Sequence, residues 1–290
     1  MTDSTILGRP EVFVRTLADL GEGPVWDART NRLCWVDITA GTLHEVDAAG
    51  EPRASWKTGT MLGAAAPLAN QPGFAVAVEE GFGLLIDGHL RIDDPVLSGT
   101  DHRMNDAKCD SSGRMWAGSL SKSGDRATGV LRRWTGGHAS EIVRDGFHLP
   151  NGIGWSPDDS TMYFVDSLAH TVYSAPFDPD EGWPGDFTEF ARVDNGLPDG
   201  LAVDSDGNIW VAVWDGSEVR CISPHGDLLG VVPMPVTRPT SCAFGPDGTL
   251  YITTARTELP PSVLERKPEA GAVFAMSTAT TGVPVHPFAS

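Results

Sequence analysis

The chain has 290 residues, and 39 acidic residues against 21 basic ones give it a formal net charge of −18. A surface this acidic repels phosphate backbones, which argues against nucleic-acid binding. The sequence has no apolar run of about 18 residues, so no membrane-spanning helix is expected. Residues 1–10 contain no cationic stretch followed by an apolar one, so no secretory signal is expected either.

One pattern recurs along the whole chain. It consists of a polar residue or Gly, a short apolar strand, an Asp-containing turn with Gly or Asn, and a second strand with Trp or Tyr. In chain order the copies occupy residues 22–38, a weaker copy at 62–81, then 105–120, 151–167, 199–215 and 240–256. The repeat of about 40–50 residues is the size of a four-stranded propeller blade. Six copies predict an all-β fold, a six-bladed β-propeller.

The ends of the repeat series predict how the ring closes. A strand at residues 11–15 precedes the first copy, and we expect it to pair with the last blade and remove the open sheet edge. Helix is scarce, with one short helix expected at residues 262–265 after two prolines. Because no linker divides the chain, we expect residues 1–290 to form a single domain, with 1–10 as a flexible N-terminal tail.

The four cysteines are far apart in the sequence and form no C-x-x-C pair, which argues against a zinc knuckle. They are Cys34, Cys109, Cys221 and Cys242. Each lies in or beside a strand-like run, so we expect small buried residues in a reducing compartment. This pattern predicts a cytoplasmic protein.

Aligning the copies brings one set of polar residues into register. The position that opens the innermost strand holds Glu22, Leu62, Asn105, Asn151, Asp199 and, in the sixth copy, Thr240 or Ser241. Inner strands line the central channel of a propeller, so these positions should form one ring at one mouth. Two carboxylates facing each other in a narrow channel repel, and a divalent cation removes that repulsion.

Oxygen ligands suit Ca²⁺, Mg²⁺ or Mn²⁺, with Zn²⁺ and Fe²⁺ also open. The alternative is that each residue only caps a turn. That interpretation explains a single such position well, but it explains four positions in the same register less well.

Other polar residues are weaker candidates. His102, His148 and His170 lack a metal-ligand partner at i+2 or i+4, and Asp106 either orients a ligand or caps a turn. The tryptophans Trp116, Trp155 and Trp210 are expected in the core.

Several motifs in fixed order identify the chain as resembling one family. They are LGEGPVWD, RMNDAKCDSSGRMWAGSL, LPNGIGWSPDDSTMYFVDS, LPDGLAVDSDGNIWVAVWDG and TSCAFGPDGTLYITTAR. The chain resembles the gluconolactonase, regucalcin and luciferin-regenerating enzyme family from about residue 12 to 288. The resemblance implies a six-bladed propeller with one divalent metal held by Glu22, Asn151 and Asp199. It also implies a substrate-binding Arg-x-Asn pair at Arg103 and Asn105.

The activity implied is hydrolysis of a sugar lactone to the aldonic acid by metal-activated water, with Asp199 as the general base. We expect a monomer or small homo-oligomer. The sequence departs from regucalcin-type members at residues 121–125, where their loop carries a Glu that contacts sugar hydroxyls. Two alternatives stay open. One is a metal-dependent aryl-ester or organophosphate hydrolase with a more apolar mouth, and the other is a non-catalytic calcium-binding propeller.

Overall fold

The computed structural model describes residues 5–124 and 127–289 and contains six antiparallel sheets. Five sheets follow the chain as consecutive strands, β2–β5, β6–β9, β10–β13, β14–β18 and β19–β22. Their bounds are β2 (Gly21–Asp27), β3 (Arg32–Asp37), β4 (Thr42–Asp47), β5 (Pro52–Lys57), β6 (Leu62–Pro67), β7 (Phe74–Val78), β8 (Gly81–Ile86), β9 (His89–Asp94), β10 (His102–Cys109), β11 (Met115–Ser121), β12 (Gly129–Trp134), β13 (Glu141–Phe147), β14 (Pro150–Trp155), β15 (Thr161–Asp166), β16 (Thr171–Asp178), β17 (Trp183–Pro184), β18 (Thr188–Arg192), β19 (Leu197–Val203), β20 (Ile209–Trp214), β21 (Glu218–Ile222) and β22 (Leu228–Pro233).

The sixth sheet joins the two ends of the chain. It consists of β1 (Glu11–Val14), β23 (Pro239–Phe244), β24 (Thr249–Thr254) and β25 (Val273–Ser277), in the order β1-β25-β24-β23. The innermost strands β2, β6, β10, β14, β19 and β23 contact one another in this order, and β23 contacts β2, which closes the circle. The predicted six-bladed propeller and its closure by the N-terminal strand are therefore confirmed.

The recurring Asp and Trp of the repeat have a structural role at the turn between the first two strands of a blade. Asp110 accepts hydrogen bonds from the turn backbone and from Nε1 of Trp116, the latter at 2.9 Å. Asp204 does the same in the fifth blade, with Nε1 of Trp210 at 2.9 Å. A buried indole N–H needs such a partner, which explains why the two residue types recur together six positions apart.

Every innermost strand changes its pairing register at the predicted ring of polar residues. These β-bulges fall between Glu22 and Val25, Leu62 and Ala64, Met104 and Ala107, Pro150 and Ile153, Pro198 and Leu201, and Pro239 and Ser241. A bulge bends its strand and re-aims a side chain. The ring residues thus lie where each strand departs from regular pairing. Several strands begin before them, as β10 does at His102, so these residues do not always open the strand as the repeat alignment predicts.

Glycines after ring residues allow neighbouring blades to approach closely. A Cβ on Gly152 would lie 2.7 Å from the carbonyl oxygen of Asp199 in the next blade. A Cβ on Gly200 would overlap the side chain of Ser241, again one blade further on. These contacts explain why Gly follows Asn151 and Asp199 in the sequence.

The predicted burial of the cysteines, the short helix and the core positions of the tryptophans are confirmed. All four cysteines are buried and free, and helix α1 (Pro261–Arg266) includes the predicted helical segment. The three candidate core tryptophans are buried. The N-terminal segment is described only from residue 5, and there Ile6 bridges Val231 of β22. Within the described residues, no helix is long and apolar enough to cross a membrane.

Candidate functional site

The predicted metal and substrate residues lie together at one end of the channel. Glu22, Asn151 and Asp199 line a cavity that Arg103 and Asn105 also line. The three candidate metal ligands are each 5% exposed, as is Asn105. They come from blades 1, 4 and 5, so only ring closure brings them together.

The hydrogen bonds of the two asparagines distinguish their roles. Asn151 donates from Nδ2 to Oγ of Ser167 at 3.1 Å, and its Oδ1 is buried without a hydrogen-bond partner. Asn105 donates to the carbonyl oxygen of Pro150 at 2.9 Å, and its Oδ1 accepts a 2.7 Å bond from Arg103. The oxygen of Asn151 is therefore free to act as a ligand, while that of Asn105 is already engaged.

The two carboxylates of the site are strongly perturbed. Burial raises the pKa of Glu22 to about 8, with the negative charge of Asp106 adding to the effect. Burial also raises the pKa of Asp199, and the charge of Glu22 raises it further. The two side chains interact directly, since each changes the pKa of the other. Two buried carboxylates this close hold a proton between them unless another positive charge replaces it.

These residues fit a divalent cation. The buried Oδ1 atoms of Asn151 and Asp199 both lack hydrogen-bond partners, and such atoms are costly unless something binds them. Two carboxylates and an amide oxygen form a hard, oxygen-only donor set of the kind that Ca²⁺ or Mg²⁺ prefers. The described residues contain no cluster of three or more His, Cys, Asp and Glu side chains suited to a metal, so the amide is essential to this set.

Arg103 supplies a positive charge beside the carboxylates. Its Nη1 donates to the backbone oxygen of Met104 at 2.9 Å and to Asn105, which fixes the guanidinium in the cavity wall. Burial lowers its pKa, opposed by the charges of Glu22 and Asp199. A guanidinium stays protonated under such conditions and has further donors for a ligand.

Apolar side chains complete the wall, and sequence reasoning missed them. They are Leu20, Ile38, Leu120, Leu149, Leu197 and Trp214. Three of these leucines stand two residues before a ring residue, in LGE, LPN and LPD, so the repeat contains a signal for them. Ser167, which fixes the amide of Asn151, was also missed, although it ends the FVDS motif.

Repeated aspartates support the segments that lead into the inner strands. Asp37 accepts a 2.9 Å bond from the backbone N–H of Asp19, just before Leu20. Asp166 accepts 2.9 Å bonds from the backbone N–H groups of His148 and Leu149. The wall leucines are therefore held by the ends of the neighbouring second strands.

The remaining candidates lie around this cavity. Asp106 is buried at the bulge of β10, where its Oδ1 accepts a 2.8 Å bond from the backbone N–H of Ala107. Its charge nevertheless acts on both channel carboxylates. In the short loop at 121–125, Lys122 pairs with Glu79 at 2.6 Å, and Asp125 lies outside the described residues. The three candidate histidines are half-buried or exposed and do not line the site.

Comparisons with known proteins agree with this architecture. The chain is 38% identical over 271 residues to a 6-deoxy-6-sulfogluconolactonase of Pseudomonas putida, covering 90% of this chain and 92% of the relative. It is 34% identical over 281 residues to a pentonolactonase of Haloferax volcanii, covering 93% and 95%. The crystal structure of a calcium-binding protein, regucalcin, from Agrobacterium tumefaciens superposes with a TM-score of 0.92 at 26% identity, covering 99% of both chains. Residues 20–256 match the SMP-30/gluconolactonase/LRE-like region, and the chain belongs to this family.

Proposed function

We propose that this protein hydrolyses a sugar lactone to its aldonic acid at the channel site, with a divalent cation held by Glu22, Asn151 and Asp199. The observation that carries the proposal is the pair of buried, unpartnered oxygen atoms on Asn151 and Asp199 beside a second carboxylate. The relatives named as sulfogluconolactonase and pentonolactonase support lactones as the substrate class.

The cation and the side chains that would hold it have different roles in the proposed reaction. When bound, a divalent cation polarises a carbonyl group and lowers the pKa of a water molecule. The Asp199 carboxylate has two oxygens, so one can face the cation while the other accepts the proton of the attacking water. Asn151 is fixed by Ser167, so its amide oxygen requires no reorganisation to act as a ligand.

Arg103 and Asn105 bind and orient the substrate in this proposal. The Arg103 guanidinium can donate to ring hydroxyls or to negative charge that develops on the carbonyl oxygen. Its bond to Asn105 holds both side chains in one orientation before the substrate arrives. The surrounding leucines and Trp214 exclude water and contact the apolar C–H faces of a sugar ring.

The same apolar wall favours a second candidate, an aryl-ester or organophosphate hydrolase. Six apolar side chains line the cavity, and such a mouth also suits an aryl group. A non-catalytic calcium-binding propeller is a third candidate, because the Agrobacterium regucalcin is a calcium-binding protein.

A substrate panel separates the three candidates. Metal-free protein is reloaded in turn with Ca²⁺, Zn²⁺, Mg²⁺, Mn²⁺ and Fe²⁺, and initial rates are measured on aldonolactones, phenyl acetate and paraoxon. We expect kcat/KM for at least one aldonolactone to exceed that for either ester by about a hundredfold or more, because only lactones offer hydroxyls to Arg103 and Asn105. Preference for the esters would favour the second candidate, and no turnover with any metal would favour the third.

A further inference from the structure

A second cavity lies at the opposite end of the channel from the candidate metal site. The ring residues Asp199 and Asn105 face the first cavity, and residues four positions further along the same strands, Val203 and Cys109, line the second. Four residues of strand span about 13 Å, so the two cavities are separate. The second encloses about 200 Å³. That space is many times the ~15 Å³ that a single water needs.

The walls of this far cavity are mostly apolar. Pro24, Ala66, Trp155, Ala202 and Phe244 contribute to it, each from a different blade. The polar side chains of its lining are those of Lys108, Ser156, Asp159 and His286. A cavity of this kind, apolar with few polar groups, is suited to an organic ligand.

A C-terminal segment, residues 282–288, crosses this end of the propeller. Gly282 bridges Asp204 of blade 5, and Phe288 bridges Leu68 of blade 2. Between these anchors, residues 283–286 line the cavity, and Val285 is 42% exposed. Among the described residues, no backbone hydrogen bond involves residues 284–287. Residues 284–287 can therefore move aside to admit a ligand without losing backbone hydrogen bonds, while Val283 and Phe288 stay bonded to blades 5 and 2.

Lys108 is the chemically distinctive group of the far cavity. Its ammonium donates a 2.8 Å bond to the carbonyl oxygen of Leu201, two blades away. Among the described residues, no carboxylate lies within ion-pair distance of it. An ammonium has three donors, so two have no protein partner. Burial lowers the pKa of Lys108, and the charge of Asp106 opposes this effect.

We propose that the far cavity binds an apolar monocarboxylate, with the carboxylate on Lys108 and the hydrocarbon against the apolar walls. The ammonium repels cations, which excludes a second metal here. A phosphate dianion would lose more hydration than one ammonium replaces. A single carboxylate with an apolar tail satisfies the free donors and fills the space.

The test is octanoate binding, measured by isothermal titration calorimetry on the full chain with and without Ca²⁺. We expect saturable binding at one site per chain, with acetate and 1-octanol binding at least about tenfold more weakly, since each lacks one of the two features recognised. Lys108→Met keeps the side-chain length and should weaken octanoate binding by about tenfold or more. Lys57→Met, at an exposed position on β5, is the matched control and should bind as wild type.

Two further variants keep the result interpretable. Val283→Trp fills the cavity from the crossing segment and should abolish octanoate binding even if Lys108→Met fails to fold. Arg103→Ala lies at the other end of the channel and should leave octanoate affinity unchanged. Octanoate binding that is absent, or equal in wild type and Lys108→Met, would overturn the proposal, as would binding lost in Arg103→Ala. None of these outcomes depends on lactone hydrolysis.

Discussion

Asp199→Asn is expected to fold normally and to lose lactone hydrolysis by a factor of about 10²–10⁴, the usual contribution of a general base. Asn has nearly the same shape and keeps one oxygen ligand. It removes the proton acceptor and one of the two negative charges that a cation would face. Initial rates of acid release from an aldonolactone, at saturating metal, measure the effect.

Two controls accompany the Asp199 variant. Thermal melts show whether the fold is retained, and Asp194→Asn, at a carboxylate whose side chain is 86% exposed, should have wild-type activity. If excess cation restores the rate of Asp199→Asn, the residue contributes metal affinity rather than proton transfer. If Asp199 only caps a turn, Asn serves equally well, and activity within a few-fold of wild type at all metal concentrations would contradict both roles.

Gly152→Ala should destabilise the protein and impair the site together. A Cβ at this position would lie 2.7 Å from the carbonyl oxygen of Asp199 and 2.9 Å from the backbone nitrogen of Leu201. Both atoms belong to the next blade, so relief of the overlap must separate Asn151 from Asp199. We expect a loss of about 1–3 kcal/mol in the free energy of unfolding, as for other overpacked sites, and a weaker affinity for the cation.

Gly185→Ala is the matched control for Gly152→Ala. The nearest atom to a Cβ there is Cδ of Pro176 at 3.5 Å, which is ordinary van der Waals contact. Chemical denaturation and metal titration of both variants compare the two sites. Wild-type stability and metal affinity in Gly152→Ala would show that close approach of blades 4 and 5 does not position the ligands.

The repeat predicts the candidate metal site because its residues occupy the same position in their blades. Glu22, Asn151 and Asp199 are far apart in sequence, and their shared position in the repeat, together with ring closure, brings them to one cavity. The repeat alignment could not predict which asparagine has a free oxygen. That distinction depends on Ser167 and Arg103, whose side chains point to different partners.

The repeat pattern of the sequence does not predict the far cavity. It depends on Lys108 reaching Leu201 across 93 positions and on a C-terminal segment that follows the last repeat. Because neither feature recurs from blade to blade, an alignment of the repeats cannot predict it. The turn residues are the opposite case, because Asp110 with Trp116 and Asp204 with Trp210 repeat one local hydrogen-bond pattern.

The central claim, a catalytic cation at Glu22, Asn151 and Asp199, is tested most directly by titrating metal-free protein while lactone turnover is followed. Chelator-treated protein should be inactive, and activity should rise linearly until one equivalent of the cation is bound per chain. Glu22→Gln, which removes a ligand charge without changing the side-chain shape, should need a higher cation concentration. Full activity of the metal-free protein, or an unchanged titration in Glu22→Gln, would contradict the account.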